Sequence, residues 1–165
     1  ADQFSEGAPE WDSVPVDFTT IKECFLSATE SIIWGGNYYE LRPVRCWLAW
    51  DKMQEHSSGH FEMAWTTLDK PTRMFRMCRA QAYGAGKSHP TQKPVALMQW
   101  CLGLVLDAKT ILDPFAGSCT TAVAAKLEGR KATCIEINEK YCEIGANRLR
   151  QNVLPFDLEQ HEAPG

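Results

Sequence analysis

The sequence predicts an α/β fold with an open sheet, from three features of one segment near its C-terminal end. An apolar strand ends in Asp113, a turn of small residues surrounds Gly117, and a second strand ends in Glu136. The small-residue helix between the strands is stopped by Gly129. Ligands of open α/β sheets lie at the carboxyl ends of the strands. The segment therefore predicts one half of a binding site for an adenosine-containing cofactor.

The class of cofactor follows from the spacing and from the glycine pattern. Glu136 follows the turn by roughly 20 residues, the separation that a βαβ unit needs to place a carboxylate on ribose hydroxyls. The dinucleotide pattern Gly-x-Gly-x-x-Gly is absent, because Ser118 and Cys119 follow the glycine of the turn. A cofactor without phosphates is therefore favoured over the nicotinamide cofactor of a dehydrogenase. An ordinary βαβ unit with an acidic strand end is the alternative.

Length and composition fit one globular domain of 165 residues, 44% of them hydrophobic. No run approaches the roughly 20 apolar residues that span a bilayer. The polar start, Ala1 to Glu10, lacks the layout of a secretory signal, so we expect a cytoplasmic protein without membrane contact. The seven cysteines are odd in number and form no Cys-x-x-Cys pair, which favours reduced thiols over disulfides or a metal site.

Helices and strands can be placed by hydrophobic spacing. Apolar residues recur at helical spacing over 18–28, and the apolar run 32–34 then predicts a strand. Residues 46–50 and 61–65 alternate in polarity, which predicts a hairpin. Four of the six tryptophans fall on these strands, where burial in the sheet is favoured over stacking on a ligand.

Two further helices flank the signature segment. One begins at Pro94, and the last begins near Asn138, a good N-cap residue. We expect a single domain over residues 1–152, with a short loop region over 53–88 inside it, and a polar tail over 153–165.

A basic segment and a polar segment are candidates for ligand contact. Basic residues interleave with aromatic residues and glycines over 70–87, as in a flexible loop that binds phosphates, although a solvated basic loop is an equal alternative. The candidate nucleic-acid contacts there are Arg73, Arg76, Arg79 and Lys87. The segment 89–94, His-Pro-Thr-Gln-Lys-Pro, gathers hydrogen-bonding groups before a helix and reads either as a ligand contact or as a helix cap.

These motifs resemble the DNA amino-methyltransferases, which methylate adenine at N6 or cytosine at N4, and among them the β group and its small phage and prophage enzymes. Residues 113–121 resemble the loop that binds S-adenosylmethionine, 135–138 the acidic strand end, and 89–94 the segment that also lines the cofactor pocket. Residues 34–39 and 47–66 resemble the strands beyond the catalytic motif.

The resemblance implies a Rossmann-like S-adenosylmethionine-dependent methyltransferase fold, with a mixed, mostly parallel sheet and helices on both faces. It implies that Glu136 binds the ribose hydroxyls, that Ile137 flanks the adenine, and that Asp113 holds the loop or meets the cofactor amine. Residues 53–88 take the place of the target-recognition loop, and DNA is the implied partner. The implied cofactor-binding residues are His89, Thr91, Lys93, Asp113, Phe115, Ala116, Gly117, Ser118, Cys119, Thr120, Glu136, Ile137 and Asn138.

The chain departs from the family in two ways. Cys119 replaces the usual second glycine of the loop, which is expected to weaken cofactor binding or to shift the loop. The catalytic Asp/Asn/Ser-Pro-Pro-Tyr motif and the Gly-Asp strand before it are absent, so no catalytic residue can be assigned. Our hypothesis is that N-terminal strands are missing upstream of Ala1, or that a partner segment or a second copy supplies them. The alternatives to an adenine-specific enzyme are a cytosine-specific one and a non-catalytic or decayed subunit.

Overall fold

A computed structural model describes residues 18–53, 59–82 and 92–151. Six strands and five helices lie in these ranges, with a short 3-10 turn at Gly36–Tyr38. In chain order they are α1 Phe18–Leu26, β1 Ile32–Trp34, β2 Trp47–Asp51, β3 Phe61–Thr66, β4 Arg73–Arg76, α2 Arg79–Ala82, α3 Val95–Gly103, β5 Thr110–Asp113, α4 Thr120–Leu127, β6 Lys131–Cys134 and α5 Glu139–Arg150. Every helix and strand predicted from spacing within these ranges is confirmed.

The first sheet has the strand order β1-β3-β2-β4. β3 runs antiparallel to both of its neighbours, and β2 and β4 are parallel, so β1, β2 and β4 share one direction. The predicted hairpin is the β2–β3 pair, in which Trp47 lies opposite Trp65. Leu48 and Trp50 are buried while their neighbours on β2 are partly exposed, which is the alternation expected of a strand.

The region 53–88, expected to be a short target-recognition or loop region, contains regular structure in the part that the structure describes. β3, β4 and α2 all lie within it. β4 extends the first sheet in register with β2, with Leu48 opposite Arg73 and Asp51 opposite Arg76. Lys70, part of the basic segment, donates to the Leu104 carbonyl at 2.6 Å and so caps the end of α3.

The second sheet consists of β5 and β6, which run parallel with α4 as the crossover. Thr110 pairs with Lys131 and Asp113 with Cys134, so both strands end at the same level. Two further bonds continue the ladder past the strands, from the Ile135 amide to the Asp113 carbonyl at 2.9 Å and from the Ala116 amide to the Ile135 carbonyl at 3.0 Å. The pairing therefore brings the turn after β5 beside the acidic end of β6.

One hydrophobic core joins the two sheets. Leu48 and Trp50 of the first sheet share a buried cluster with Leu97 of α3 and Ala124 of α4, and Ile111 of β5 packs against it. α4 is rich in alanine, which lets α3 approach it closely. The large rings are placed by hydrogen bonds as well as by burial, since the Trp50 indole nitrogen donates to the Met77 carbonyl at 3.0 Å. Trp50 and Trp65 are thus core residues, as predicted, whereas Trp34 and Trp47 are only partly buried.

The second sheet is much less covered than the first. Leu112 on β5 is 46% exposed, and Ile135 just after β6 is 55% exposed. Within the described residues β5 pairs with β6 alone, so its other edge carries unpaired main-chain groups. Among these residues, every helix falls short of the length and apolarity that a membrane span requires.

Candidate cofactor site at the ends of strands five and six

The turn after β5 is held by its own side chains and amides. The Asp113 carboxylate accepts a hydrogen bond from the Phe115 amide at 3.1 Å, and the Cys119 amide donates to the Ala116 carbonyl at 2.7 Å. Gly117 has φ = 50°, in the left-handed region where a side chain is disfavoured. Asp113 therefore fixes the start of the turn through its carboxylate.

Glu136 joins the turn to the end of the neighbouring strand. One carboxylate oxygen accepts from the Gly117 amide at 2.8 Å, and the other accepts from the Asn138 amide at 2.8 Å. Each carboxylate oxygen can accept a further hydrogen bond, so Glu136 keeps acceptor capacity for a ligand hydroxyl. Asn138 caps α5 through its side chain, which accepts from the Lys140 amide at 3.0 Å.

Exposed apolar groups flank the carboxylate. Ile137, the residue after Glu136, is 96% exposed, and Phe115, two residues before Gly117, is 49% exposed. Large apolar side chains left open near a partly buried hydrogen bond are typical of a ligand site, where a planar aromatic ligand can cover them. Donors, acceptors and apolar groups thus lie together where the sequence predicts a nucleoside.

Cys119 turns its side chain into the protein. It has φ = 57° and is 7% exposed, in a small cluster with Ala116, Ala122 and Cys134. Burial raises the pKa of the Cys119 thiol, and it raises that of Cys134 to about 12, so both are protonated at neutral pH. Cys119 thus keeps the left-handed backbone conformation that glycine usually adopts, and its side chain packs in the buried cluster beneath the loop.

Arg148 is a site residue that the sequence analysis missed. Its guanidinium, on α5, donates to the Ser118 carbonyl, to the Ser118 hydroxyl at 2.9 Å and to the Thr120 hydroxyl at 3.1 Å. Ser118 and Thr120 are both buried. These two predicted cofactor residues therefore serve, through their hydroxyls, to fix the loop on α5. No local signal marks an arginine 30 residues beyond the loop.

The polar segment before α3 reaches the site through a different residue from those predicted. The Ser118 hydroxyl donates to the Gln92 side chain at 3.3 Å. Lys93 instead lies 2.8 Å from Glu62 of β3. His89 and Thr91 lie outside the described residues.

The Glu62 carboxylate is shared between two lysines, Lys93 and the buried Lys52. Burial by itself raises the pKa of Glu62, but the two ammonium groups outweigh it, and the net result is a pKa below the ordinary 4.5. The carboxylate is therefore charged at neutral pH.

The candidate nucleic-acid residues lie on or beyond β4. Arg73 and Arg76 are exposed at the edge of the first sheet, and Arg76 also lies 3.3 Å from the Asp51 carboxylate. Arg79 begins α2, although its side chain lies outside the described residues, as does Lys87. Two of the four predicted contacts are thus brought together on one strand.

Comparison with known proteins identifies the family. The family model described as DNA methylase matches residues 21–147. Type II methyltransferase M2.DpnII of Streptococcus pneumoniae is 34% identical over 128 residues, which are 76% of this chain and 43% of the relative. DNA adenine methyltransferase YhdJ of Escherichia coli strain K12 is 47% identical over 64 residues, 38% of this chain and 22% of the relative.

The fold is that of the same enzymes. The solved PvuII DNA methyltransferase, described as cytosine-N4-specific, superposes with a TM-score of 0.52 at 16% identity, over 66% of this chain and 51% of that one. The chain spans less than half the length of the two curated relatives. With the family model matching most of its residues, the chain belongs to the S-adenosylmethionine-dependent DNA amino-methyltransferases.

Proposed function

We propose that this chain forms the cofactor-binding part of an enzyme that transfers a methyl group from S-adenosylmethionine to an exocyclic amine of a DNA base. The observation that carries the proposal is the 2.8 Å bond between the Gly117 amide and the Glu136 carboxylate. It holds the loop and the acidic strand end, which lie 19 residues apart in the chain, at one site.

Each side of the nucleoside would meet a suitable group. Glu136 would accept the ribose hydroxyls, because its oxygens have lone pairs left after binding the Gly117 and Asn138 amides. Ile137 and Phe115 offer apolar surface to the adenine. The loop held by Asp113 and Arg148 would meet the amino-acid end.

S-adenosylmethionine supplies the methyl group when it is bound. The target base would be extruded from the duplex, at an unstacking cost of a few kcal/mol. The protein would act mainly by alignment of the amine with the methyl group. Adenine N6 is the proposed target and cytosine N4 the alternative, since the relatives include an adenine methyltransferase and the solved structure is a cytosine-N4-specific one. DNA as the substrate implies an intracellular, cytoplasmic location.

A further polypeptide segment is proposed to complete the sheet beside β5. Leu112 is exposed there, and the edge of β5 opposite β6 has no partner among the described residues. An added strand, from a partner segment or a second copy, would pair these main-chain groups and cover the apolar surface. Light scattering that gives a monomer of 18.6 kDa, together with cooperative unfolding, would contradict this part of the proposal.

Calorimetry with S-adenosylmethionine tests the cofactor site. Glu136→Ala should weaken binding at least about tenfold, because hydrogen bonds to a charged group are lost. Glu143→Ala is the matched control, since Glu143 is exposed on α5. Binding that is absent in the wild type, or equal in all three proteins, would refute the assignment.

The alternative is a subunit that binds cofactor or DNA without methylating. The absence of the Pro-Pro-Tyr motif from all 165 residues favours it. Transfer of tritiated methyl groups to unmethylated DNA separates the two functions. Labelled adenine or cytosine supports the enzyme and names its target, whereas cofactor binding without any label supports the subunit.

A further inference from the structure

Lys52 is a buried cation that needs a partner. Its side chain is 5% exposed, and its ammonium lies 3.0 Å from one Glu62 oxygen and 5.7 Å from the centre of the Trp50 ring. Burying an ammonium group is costly unless a carboxylate and an aromatic face compensate it. The Glu62 carboxylate on β3 therefore compensates the buried charge of Lys52, which directly follows β2.

The same carboxylate holds a second lysine from a distant segment. The other Glu62 oxygen lies 2.8 Å from the Lys93 ammonium, which is 5.8 Å from the centre of the Trp34 ring. The Lys93 side chain is 23% exposed. One negative charge is thus shared by two positive ones, and loss of that charge would leave two ammonium groups repelling each other near the core.

The lysine is next to the residue that contacts the cofactor loop. Gln92 accepts the Ser118 hydroxyl at 3.3 Å, and Ser118 is also bound by Arg148. After Pro94, α3 begins, with the Met98 amide bonded to the Pro94 carbonyl at 3.2 Å. The three residues 92–94 are therefore fixed at one side to the first sheet and at the other to the loop of the second.

We propose that Glu62 is a positioning residue of the cofactor site, which acts through Lys93 to hold segment 92–94 against the loop at Ser118. The inference rests on the proposed function, since it concerns the same cofactor. Glu62 lies on the first sheet, and of its two ion pairs among the described residues only the one with Lys93 leads to segment 92–94, so its effect on the loop passes through Lys93. Lys52 fixes the orientation of Glu62 through an ion pair with the carboxylate oxygen that Lys93 does not contact.

A double-mutant cycle on the full chain tests the coupling. The dissociation constant of S-adenosylmethionine is measured for the wild type, Glu62→Gln, Lys93→Met and the double variant. Glu62→Gln keeps the shape and removes the charge, and should weaken binding about tenfold. The double variant should bind no more weakly than Lys93→Met alone. Asp69→Asn, which breaks the exposed Arg45–Asp69 pair, is the control and should leave binding unchanged.

Hydrogen exchange without cofactor provides the second measurement. Peptides covering 92–98 and 116–121 should exchange faster in Glu62→Gln than in the wild type and in Asp69→Asn. A purely structural role would lower the unfolding temperature, speed exchange throughout the fold rather than in these two peptides, and leave the cofactor affinity in place, which would overturn the inference. Multiplicative effects of the two single substitutions on affinity would overturn it too. If the wild type does not bind the cofactor, the proposed function fails, and the exchange rates alone decide whether Glu62 fixes the segment.

Discussion

The Cys119 thiol occupies the space that a side chain at Gly145 would need. A Cβ on Gly145 would overlap the Cys119 sulfur and would lie 3.0 Å from the Cys119 Cβ. Gly145 is buried on α5, facing the start of α4. The cysteine in the cofactor loop and the glycine in the helix are therefore complementary, and the helix leaves room for the larger loop residue.

Gly145→Ala should destabilise the protein by about 1–3 kcal/mol, because the extra methyl group overpacks a closed site. Cys119→Gly should remove most of that cost, since it deletes the atoms in the way and suits φ = 57°. Urea denaturation of the two single variants and the double variant measures the coupling. Gly103→Ala is the control, since nothing lies within 4 Å of its added Cβ. Equal costs of Gly145→Ala in the two backgrounds would contradict this relationship.

Arg148→Lys should weaken cofactor binding about tenfold without preventing folding. One guanidinium nitrogen makes all of these bonds, and a lysine keeps the charge but has a shorter side chain, so its nitrogen stops short of Ser118 and Thr120. Calorimetry measures the change. Arg150→Lys is the matched control, because Arg150 is exposed and donates to Asn147 at 3.1 Å. Wild-type affinity in the Arg148→Lys protein would show that the Arg148 hydrogen bonds do not support the cofactor site.

Stability should depend on Glu62 in a defined pH range. Its pKa is lowered in the folded state, so its contribution is complete above about 4.5 and is lost as the pH falls through the folded-state pKa. Wild type should therefore be more stable than Glu62→Gln at pH 7, and the difference should shrink below pH 4.5. Denaturation of both proteins from pH 3 to pH 7 tests this. A stability difference between the wild type and Glu62→Gln that grows as the pH falls would contradict the prediction, because protonation removes the charge of a salt-bridged carboxylate.

Arg73→Ala should reduce DNA affinity and lower the slope of log affinity against log salt by about one. Arg73 is exposed on β4 without an ion-pair partner in the described ranges, so its charge is available to a phosphate. Fluorescence anisotropy at several salt concentrations measures the slope. Arg45→Ala removes an exposed arginine that is already paired with Asp69, and it should change the slope less. Equal slopes for Arg73→Ala and the wild type would exclude Arg73 from the interface.

Local pattern predicted most of the fold. Polarity alternation located β2 and β3, and the Pro94 and Asn138 signals located the starts of α3 and α5. β4 was missed because its four residues, Arg-Met-Phe-Arg, are mostly exposed. The sequence of an edge strand with an arginine at each end has the same pattern as a basic loop. Only the pairing of β4 with β2 in the structure identifies it as a strand.

The site was predicted where its residues are neighbours in the chain. The Gly117 turn and Glu136 belong to one βαβ unit, whose geometry fixes their distance. Arg148 and Gln92 lie 30 and 26 residues from Ser118, and their contacts arise from packing of α5 and of the segment before α3. Lys93 was placed by motif alone, whereas its orientation depends on Glu62 and on the Trp34 ring. Such contacts are tertiary, and spacing in the sequence carries no signal for them.

The Arg148 side chain, which fixes the loop at Ser118 and Thr120, lies on the last turn of a helix. Arg148 lies two residues before the end of α5, where Lys126 secures the chain by donating to the Leu149 carbonyl at 2.6 Å. Helix ends open at lower free energy than the rest of a fold. Warming should thus loosen the loop that we propose holds the nucleoside before the core melts, so that ligand retention would depend on the fraying of one helix end.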